Sequence, residues 1–168
     1  MKKPSFLIKL KKEGRLELVE TSEEICTSYL EKAENCLKSA SIFLDKGLYE
    51  NSVSMSYYVM YNSLTALLFR VGIKCENHTG TIILFKKIFE KKDLYELISF
   101  AKKERIDKQY YVDFILTREL AEDLLKKAEN FLVRIKILIR NLKTEDIGKL
   151  RKKFLIIVKQ HLSFQEHT

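Results

Sequence analysis

The chain has 168 residues and a formal net charge of +8, and hydrophobic residues make up 46% of it. This length allows one domain with a substantial core, and the apolar fraction argues against intrinsic disorder. No apolar run approaches the roughly 20 residues that span a bilayer, and no secretory leader is recognisable, so we expect a cytoplasmic protein without a membrane partner. The positive charge favours anionic partners such as RNA, DNA, nucleotides or an acidic protein.

The scarcity of helix breakers indicates an all-α protein, because only five glycines and one proline occur. Residues 4–20 are compatible with a loose hairpin or with a short helix and turn. Thr21 and Glu24 form a capping box, which predicts the start of an amphipathic helix that ends at Gly47. A second helix is predicted to run antiparallel to it, without a break, as far as Gly72.

Two shorter helices and a loop are predicted after Gly72. The sequence IKCENHTG indicates a loop, and Thr79 is a plausible cap for a third helix. The stretch Leu94–Lys103 is again helical in pattern.

The C-terminal part predicts one long amphipathic helix and a final segment. Thr117 opens the long helix, whose apolar residues are spaced by three and four from Ala121 to Leu142. This seam must pack on other helices, either within the chain or across a dimer. Thr144 is expected to cap the last segment, and its apolar cluster at 154–158 is expected to dock on the bundle or on a second subunit.

The sequence lacks the motifs of the common enzyme classes, with no GxxxxGK[ST], GxGxxG, HExxH or GxSxG. Cys26, Cys36 and Cys75 form no CxxC pair, so we expect buried thiols without a disulfide, a metal site or a cofactor. Of the three histidines, only His78 lies away from the C-terminus. An active site built by one chain alone would be difficult to assemble, and whether the protein is an enzyme stays open.

The helix before Gly72 and the segment after it resemble the HEPN domain, in particular its stand-alone archaeal and bacterial branch. The resemblance covers about residues 22–142 and rests on a tyrosine pair in that helix and a His-x-Gly loop after it. The matching residues are Ser52, Ser56, Tyr57, Tyr58, Val59, Met60, Tyr61, Gly72, His78, Thr79 and Gly80. Arg105, Gln109 and Tyr110 stand where the branch usually has an arginine followed by Asp-Tyr.

The resemblance implies an up-and-down helical bundle of about four to five helices that forms a homodimer. Residues 1–20 would be an N-terminal extension, 21–143 the bundle and 144–168 a C-terminal helical segment. Many HEPN proteins are partners of a minimal nucleotidyltransferase in toxin–antitoxin pairs, so such a partner is expected here.

Active HEPN proteins are metal-independent RNases in which a histidine closely follows an arginine. This sequence departs from that pattern, because no histidine occurs among residues 106–111 after Arg105. Our first hypothesis is therefore a dimeric module that binds a nucleotide or RNA phosphate. Arg105 and His78 would meet the phosphate, and Tyr57, Tyr58 or Tyr110 would stack on a base or line the cleft.

Two other hypotheses remain. One is an RNase toxin that uses Arg105 with His78 or Tyr110 across the dimer, without metal. The other is a docking module that contacts a nucleotidyltransferase through the seam at Ala121–Leu142 or through the cluster at 154–158.

Overall fold

The computed structural model describes residues 5–110 and 116–159, and of residues 106–110 it describes the backbone alone. The elements follow one another as α1 (Phe6–Lys12), β1 (Leu16–Leu18), α2 (Glu23–Asp45), α3 (Tyr49–Val71), β2 (Ile73–Cys75), α4 (His78–Phe89), α5 (Lys92–Tyr110), α6 (Arg118–Asn141) and α7 (Thr144–Lys159). The all-α prediction is confirmed, and the division of the chain at residues 20 and 143 stays a prediction. None of the helices in the described ranges has the length and apolar character that crossing a membrane requires.

Helix α3 is the centre of the bundle. It packs most extensively on α2, and α5 and α6 also lie against it. Its core residues Tyr57, Val59, Met60 and Leu64 have no solvent exposure. Burial of this much apolar area is the main stabilising contribution to such a bundle. The predicted unbroken helix ending at Gly72 is confirmed.

The apolar seam of α6 packs inside the chain, against α3 and α2. Its first five members are fully buried, namely Ala121, Leu124, Ala128, Phe131 and Ile135. Leu138 and Leu142 are half-buried and border the same core. The seam is therefore covered by the chain's own helices, and its proposed use as a docking surface for another protein is wrong.

A two-stranded antiparallel ribbon joins the N-terminal segment to the chain that follows α3. Strand β1 pairs with β2 so that Leu16 lies opposite Cys75 and Leu18 opposite Ile73. Within the described residues, the segment predicted as a hairpin or as a helix and turn thus contains a short helix and a strand, and the expected loop after Gly72 also contains a strand. The two partners are far apart in sequence, so no local pattern indicates this pairing.

Two of the predicted helix caps, those of α2 and α4, are wrong, one of them by one position and the other by two. The cap of α2 is Ser22 rather than Thr21, and its Oγ accepts a hydrogen bond from the Ile25 amide at 3.1 Å. The cap of α4 is Asn77 rather than Thr79, because the Asn77 Oδ1 accepts from the Gly80 amide at 2.8 Å.

The two caps predicted for the C-terminal helices have opposite outcomes. Thr117 caps α6, and its Oγ1 accepts from the Leu120 amide at 3.3 Å. Thr144 is the first residue of α7 rather than its cap. Asp146 satisfies the helix start instead, because its Oδ2 accepts from the Lys143 amide at 3.0 Å.

Helix α7 docks on the chain's own bundle. Ile147, Phe154 and Val158 are buried with residues of α1, α4 and both strands. The cluster at 154–158 is therefore largely occupied within the chain, although Ile156 remains 56% exposed.

A single arginine of α7 ties this helix to the end of α3. Arg151 Nη1 donates hydrogen bonds to the carbonyls of Val19, Val71 and Gly72 at 2.8, 3.0 and 3.0 Å. Gly72 ends α3 in the left-handed conformation, with φ 74°. The turn that leads from α3 through β2 to α4 is thereby fixed.

Candidate functional site

Side chains of α3, the start of α4 and the C-terminal part of α5 converge on one face of the bundle. We name them the Tyr–His–Arg cluster, which comprises Tyr57, Tyr58, Tyr61, His78, Lys102 and Arg105. The tyrosines share a face because residues three and four apart on a helix are neighbours. His78 is the first residue of α4, so the turn after Gly72 and the β-ribbon determine its position.

His78 is held on two sides. The hydroxyl of Tyr57 and Nδ1 of His78 are 2.7 Å apart, which is a hydrogen bond. The ring of Tyr61 stacks on the imidazole with centroids 3.7 Å apart and an interplanar angle of 8°. Burial, and then the nearby cations Arg105 and Lys102, lower the pKa of His78 below its ordinary value. These effects favour the neutral form of the imidazole.

Arg105 packs against the two adjacent tyrosines of α3. Its Nη1 donates a hydrogen bond to the Tyr58 hydroxyl at 2.9 Å. Its guanidinium carbon lies 4.9 Å from the Tyr57 ring centroid and 5.2 Å from that of Tyr58. Its Nε is buried and has no hydrogen-bond partner within the described part of the chain.

Lys102 adds a second cation, one helical turn before Arg105. Its Nζ donates a hydrogen bond to the Thr79 hydroxyl at the start of α4. Burial and then the charge of Arg105 lower the pKa of Lys102. The N-terminal end of a helix bears a partial positive charge, so the start of α4 adds to the field of both cations.

The structure brings together four of the five residues predicted for the site: Tyr57, Tyr58, His78 and Arg105. The side chain of Tyr110, the fifth, lies outside the described residues. Tyr57 has no solvent exposure, so among the three tyrosines predicted to stack on a base or to line the cleft, it is not available for stacking. Its hydroxyl holds His78 instead.

Lys102 and Tyr61 belong to the cluster but were not predicted as site residues. The signal for Lys102 is its spacing of three from Arg105, which places both side chains on one face of α5. The signal for Tyr61 is its spacing of four from Tyr57 on α3.

None of the hydrogen bonds given above for the Tyr–His–Arg cluster involves a cysteine. Cys26 and Cys75 are buried and Cys36 is half-buried, all as free thiols. Burial raises the pKa of each thiol. Among the side chains of residues 5–105 and 116–159, no three His, Cys, Asp or Glu lie close enough to hold a metal ion. The chemistry available in the cluster is that of two cations, a neutral imidazole and phenol hydroxyls.

Comparison with known proteins gives consistent matches. The HEPN domain family model matches residues 26–150. A UPF0332 protein of Thermotoga maritima is 29% identical over 128 residues, which cover 72% of this chain and 96% of the relative. A Methanocaldococcus jannaschii protein named "Putative toxin" is 32% identical over 112 residues, covering 64% and 76% of the two chains. A UPF0332 protein of Archaeoglobus fulgidus is 31% identical over 111 residues, covering 64% and 89%.

The matched segment contains every residue of the Tyr–His–Arg cluster. Its helical bundle, its tyrosine pair on α3 and its His-x-Gly at the start of α4 agree with the resemblance found in the sequence. The chain belongs to the HEPN domain family.

Proposed function

We propose that this protein binds the phosphate groups of RNA or of a nucleotide at the Tyr–His–Arg cluster. The observation that supports this most strongly is the convergence of His78, Lys102 and Arg105 at the start of α4. Cations and a helix N-terminus that face the same space form a binding site for an oxyanion.

The electrostatics of the cluster favour an anionic ligand. Burial, and then the charge of Arg105, lower the pKa of both His78 and Lys102, and the second of these causes indicates an excess of positive charge in the unliganded site. An anion placed among these groups reduces their mutual repulsion, and low local dielectric strengthens its attraction to them. The net charge of +8 favours the approach of a polyanion in the same way.

The guanidinium of Arg105 has unused hydrogen-bonding capacity. Nη1 is engaged by the Tyr58 hydroxyl, whereas Nε is buried without a partner in the described ranges. An unsatisfied buried donor costs roughly 1–3 kcal/mol. A shift of the Arg105 side chain that brought this Nε to a phosphate oxygen would remove the cost and use the two-pronged geometry that arginine offers to phosphates.

RNA cleavage is the second candidate function. It is favoured by the side-by-side placement of Arg105 and His78 within one chain, where both contact Tyr58 and Tyr57. One relative bears the name "Putative toxin", which agrees with this candidate. In such a reaction Arg105 would hold the phosphate and His78 would handle a ribose hydroxyl proton.

Binding and cleavage are tested with the same samples. Fluorescence anisotropy of labelled single-stranded RNA, and calorimetry with ATP, would be measured in EDTA for the wild type, Arg105→Ala and Lys102→Ala. Lys103→Ala is the matched control, because it removes one positive charge from the same helix at an exposed position. We expect at least a tenfold loss of affinity for the first two variants and little change for the control.

Equal affinities for all four proteins would overturn the binding proposal. Gel analysis of the same RNA reports cleavage. Fragments formed by the wild type and absent with Arg105→Ala would favour the RNase, whereas intact RNA throughout would favour binding alone.

We further propose a homodimer and a nucleotidyltransferase partner, as the family resemblance implies. The exposed pair Val133 and Ile137 on α6, 49% and 53% accessible, is an apolar surface available for such a contact. Sedimentation velocity across a range of protein concentrations tests the dimer, and a monomer at all concentrations would refute it. A gene for a minimal nucleotidyltransferase directly beside this one would support the partner, and gel filtration of the two proteins together tests it.

A further inference from the structure

We infer that Tyr57 is a positioning residue, which fixes His78 in the neutral tautomer that has its proton on Nε2. His78 then presents an N–H donor to a phosphate oxygen. The role at the ligand rests on the proposed function, whereas the tautomer itself can be measured without any ligand.

The first step concerns the Tyr57 hydroxyl. The Tyr57 side chain has no solvent exposure, and burial raises its pKa, so the phenol keeps its proton. A buried hydroxyl proton requires an acceptor. Among the described residues the hydrogen-bond partner of this hydroxyl is His78 Nδ1, at 2.7 Å. The hydroxyl therefore donates and Nδ1 accepts.

The second step concerns the imidazole. In a neutral ring one nitrogen bears the proton and the other accepts, so a hydrogen-bonded lone pair on Nδ1 places the proton on Nε2. The opposite tautomer would direct two protons at each other, or turn the phenol proton into the apolar core without an acceptor. Tyr57 thus stabilises one of the two neutral tautomers, which are close in energy when the ring is in water.

The third step concerns orientation. Tyr61 stacks on the His78 ring at 3.7 Å, and Tyr58 meets it edge-on with centroids 6.1 Å apart at 84°. Together with the Tyr57 hydrogen bond, these contacts oppose rotation of the ring. The Nε2–H therefore has a defined position relative to Arg105 and Lys102, whose charges act on the same ring.

This tautomer has a functional consequence. A protonated Nε2 donates to an oxyanion but has no lone pair with which to accept a ribose hydroxyl proton, and Nδ1 is occupied by Tyr57. The resting state of His78 is therefore suited to holding a phosphate rather than to acting as a general base. This accords with binding as the first candidate function.

The tautomer is measured by long-range proton–nitrogen NMR on the full chain with labelled histidine, above the pH range in which His78 titrates. His78→Asn assigns the signals. We expect Nδ1 in the shift range of an unprotonated nitrogen and Nε2 in that of a protonated one. A protonated Nδ1, or two averaged nitrogen shifts, in the wild type would overturn the inference.

Two variants make the test specific to Tyr57. In Tyr57→Phe the two nitrogen shifts should move towards each other as the tautomers mix, whereas Tyr58→Phe should leave them unchanged. Unchanged nitrogen shifts in a folded Tyr57→Phe protein would contradict the inference. If that variant does not fold, the nitrogen shifts of the wild type are sufficient to test the inference. Absence of RNA binding with the Nε2 tautomer present would refute only the proposed function.

Discussion

Replacement of Gly72 by alanine should destabilise the fold far more than the same change at another left-handed glycine. An added Cβ would lie 1.9 Å from Arg151 Nη1 and 2.5 Å from the Val19 carbonyl oxygen, at a φ of 74°. The left-handed conformation costs a non-glycine residue roughly 1–2 kcal/mol. Displacement of the charged donor Arg151 from its carbonyl acceptors costs roughly another 1.5–3 kcal/mol. The expected loss in the free energy of unfolding is therefore about 2.5–5 kcal/mol.

Urea unfolding followed by circular dichroism measures this loss, and Gly47→Ala is the matched control. Gly47 has a φ of 72°, but an added Cβ there meets nothing within 4 Å. The control should lose only the backbone part, roughly 1–2 kcal/mol. Arg151→Ala combined with Gly72→Ala should lose less than the sum of the two single changes, because both remove the same contacts. Equal losses at Gly72 and Gly47 would refute the role given to Arg151.

Three further predictions concern the cluster and a helix start. The pKa of His78 in the folded protein lies below its unfolded value near 6.5. The contribution of the neutral imidazole to the free energy of unfolding is therefore present above about pH 6.5 and is lost as the pH falls below it. His78→Asn, whose side chain can still accept from Tyr57, should show a smaller decrease in melting temperature between about pH 7.5 and 5 than the wild type. Parallel curves of melting temperature against pH for the two proteins would contradict this. Tyr58→Phe removes the acceptor of Arg105 Nη1 and should weaken RNA binding several-fold with little change in stability, whereas undiminished affinity would show that Tyr58 does not position Arg105. Ser22→Ala should cost roughly 1 kcal/mol of unfolding free energy, and Thr21→Ala close to none, because the Ser22 hydroxyl caps α2; a larger loss for Thr21→Ala would restore the original prediction.

Helix positions were predictable where one residue type enforces a local geometry. Gly72 marks the end of α3 because its left-handed backbone favours glycine, and the spacing of apolar residues located α6. The caps were less predictable, because Thr21 and Ser22 are adjacent and either side chain can cap a helix. The start of the helix at Glu23 decides between them, because it makes Ser22 the residue whose hydroxyl accepts from the Ile25 amide.

The β-ribbon and the closure of the core could not be predicted from local sequence. Leu16 pairs with Cys75, and both lie in one core with residues of α1 and α7, so the pairing joins parts of the chain that no short segment contains together. The sequence indicated that the seam of α6 is buried. It did not show whether the helices that cover the seam belong to this chain or to a second copy. The three-dimensional packing on α3 assigns it to the chain itself.

The members of the site were largely predictable, but their contacts were not. The resemblance to the HEPN pattern identified His78 and Arg105, although they lie on different helices. It could not show that Tyr57 is buried beneath His78, because burial depends on how α4 and α5 pack on α3. Nor could it identify Lys102, whose place in the cluster depends on its hydrogen bond to Thr79.

The most direct test of the phosphate-binding proposal is the salt dependence of RNA affinity. Each cation that neutralises a phosphate of a single strand contributes roughly 0.7 to the slope of log affinity against log salt. Arg105→Ala should reduce the slope by about that amount, and Lys103→Ala should leave it close to the wild-type value. Equal slopes for the wild type and Arg105→Ala would show that Arg105 does not bind phosphate, and would contradict the proposed site.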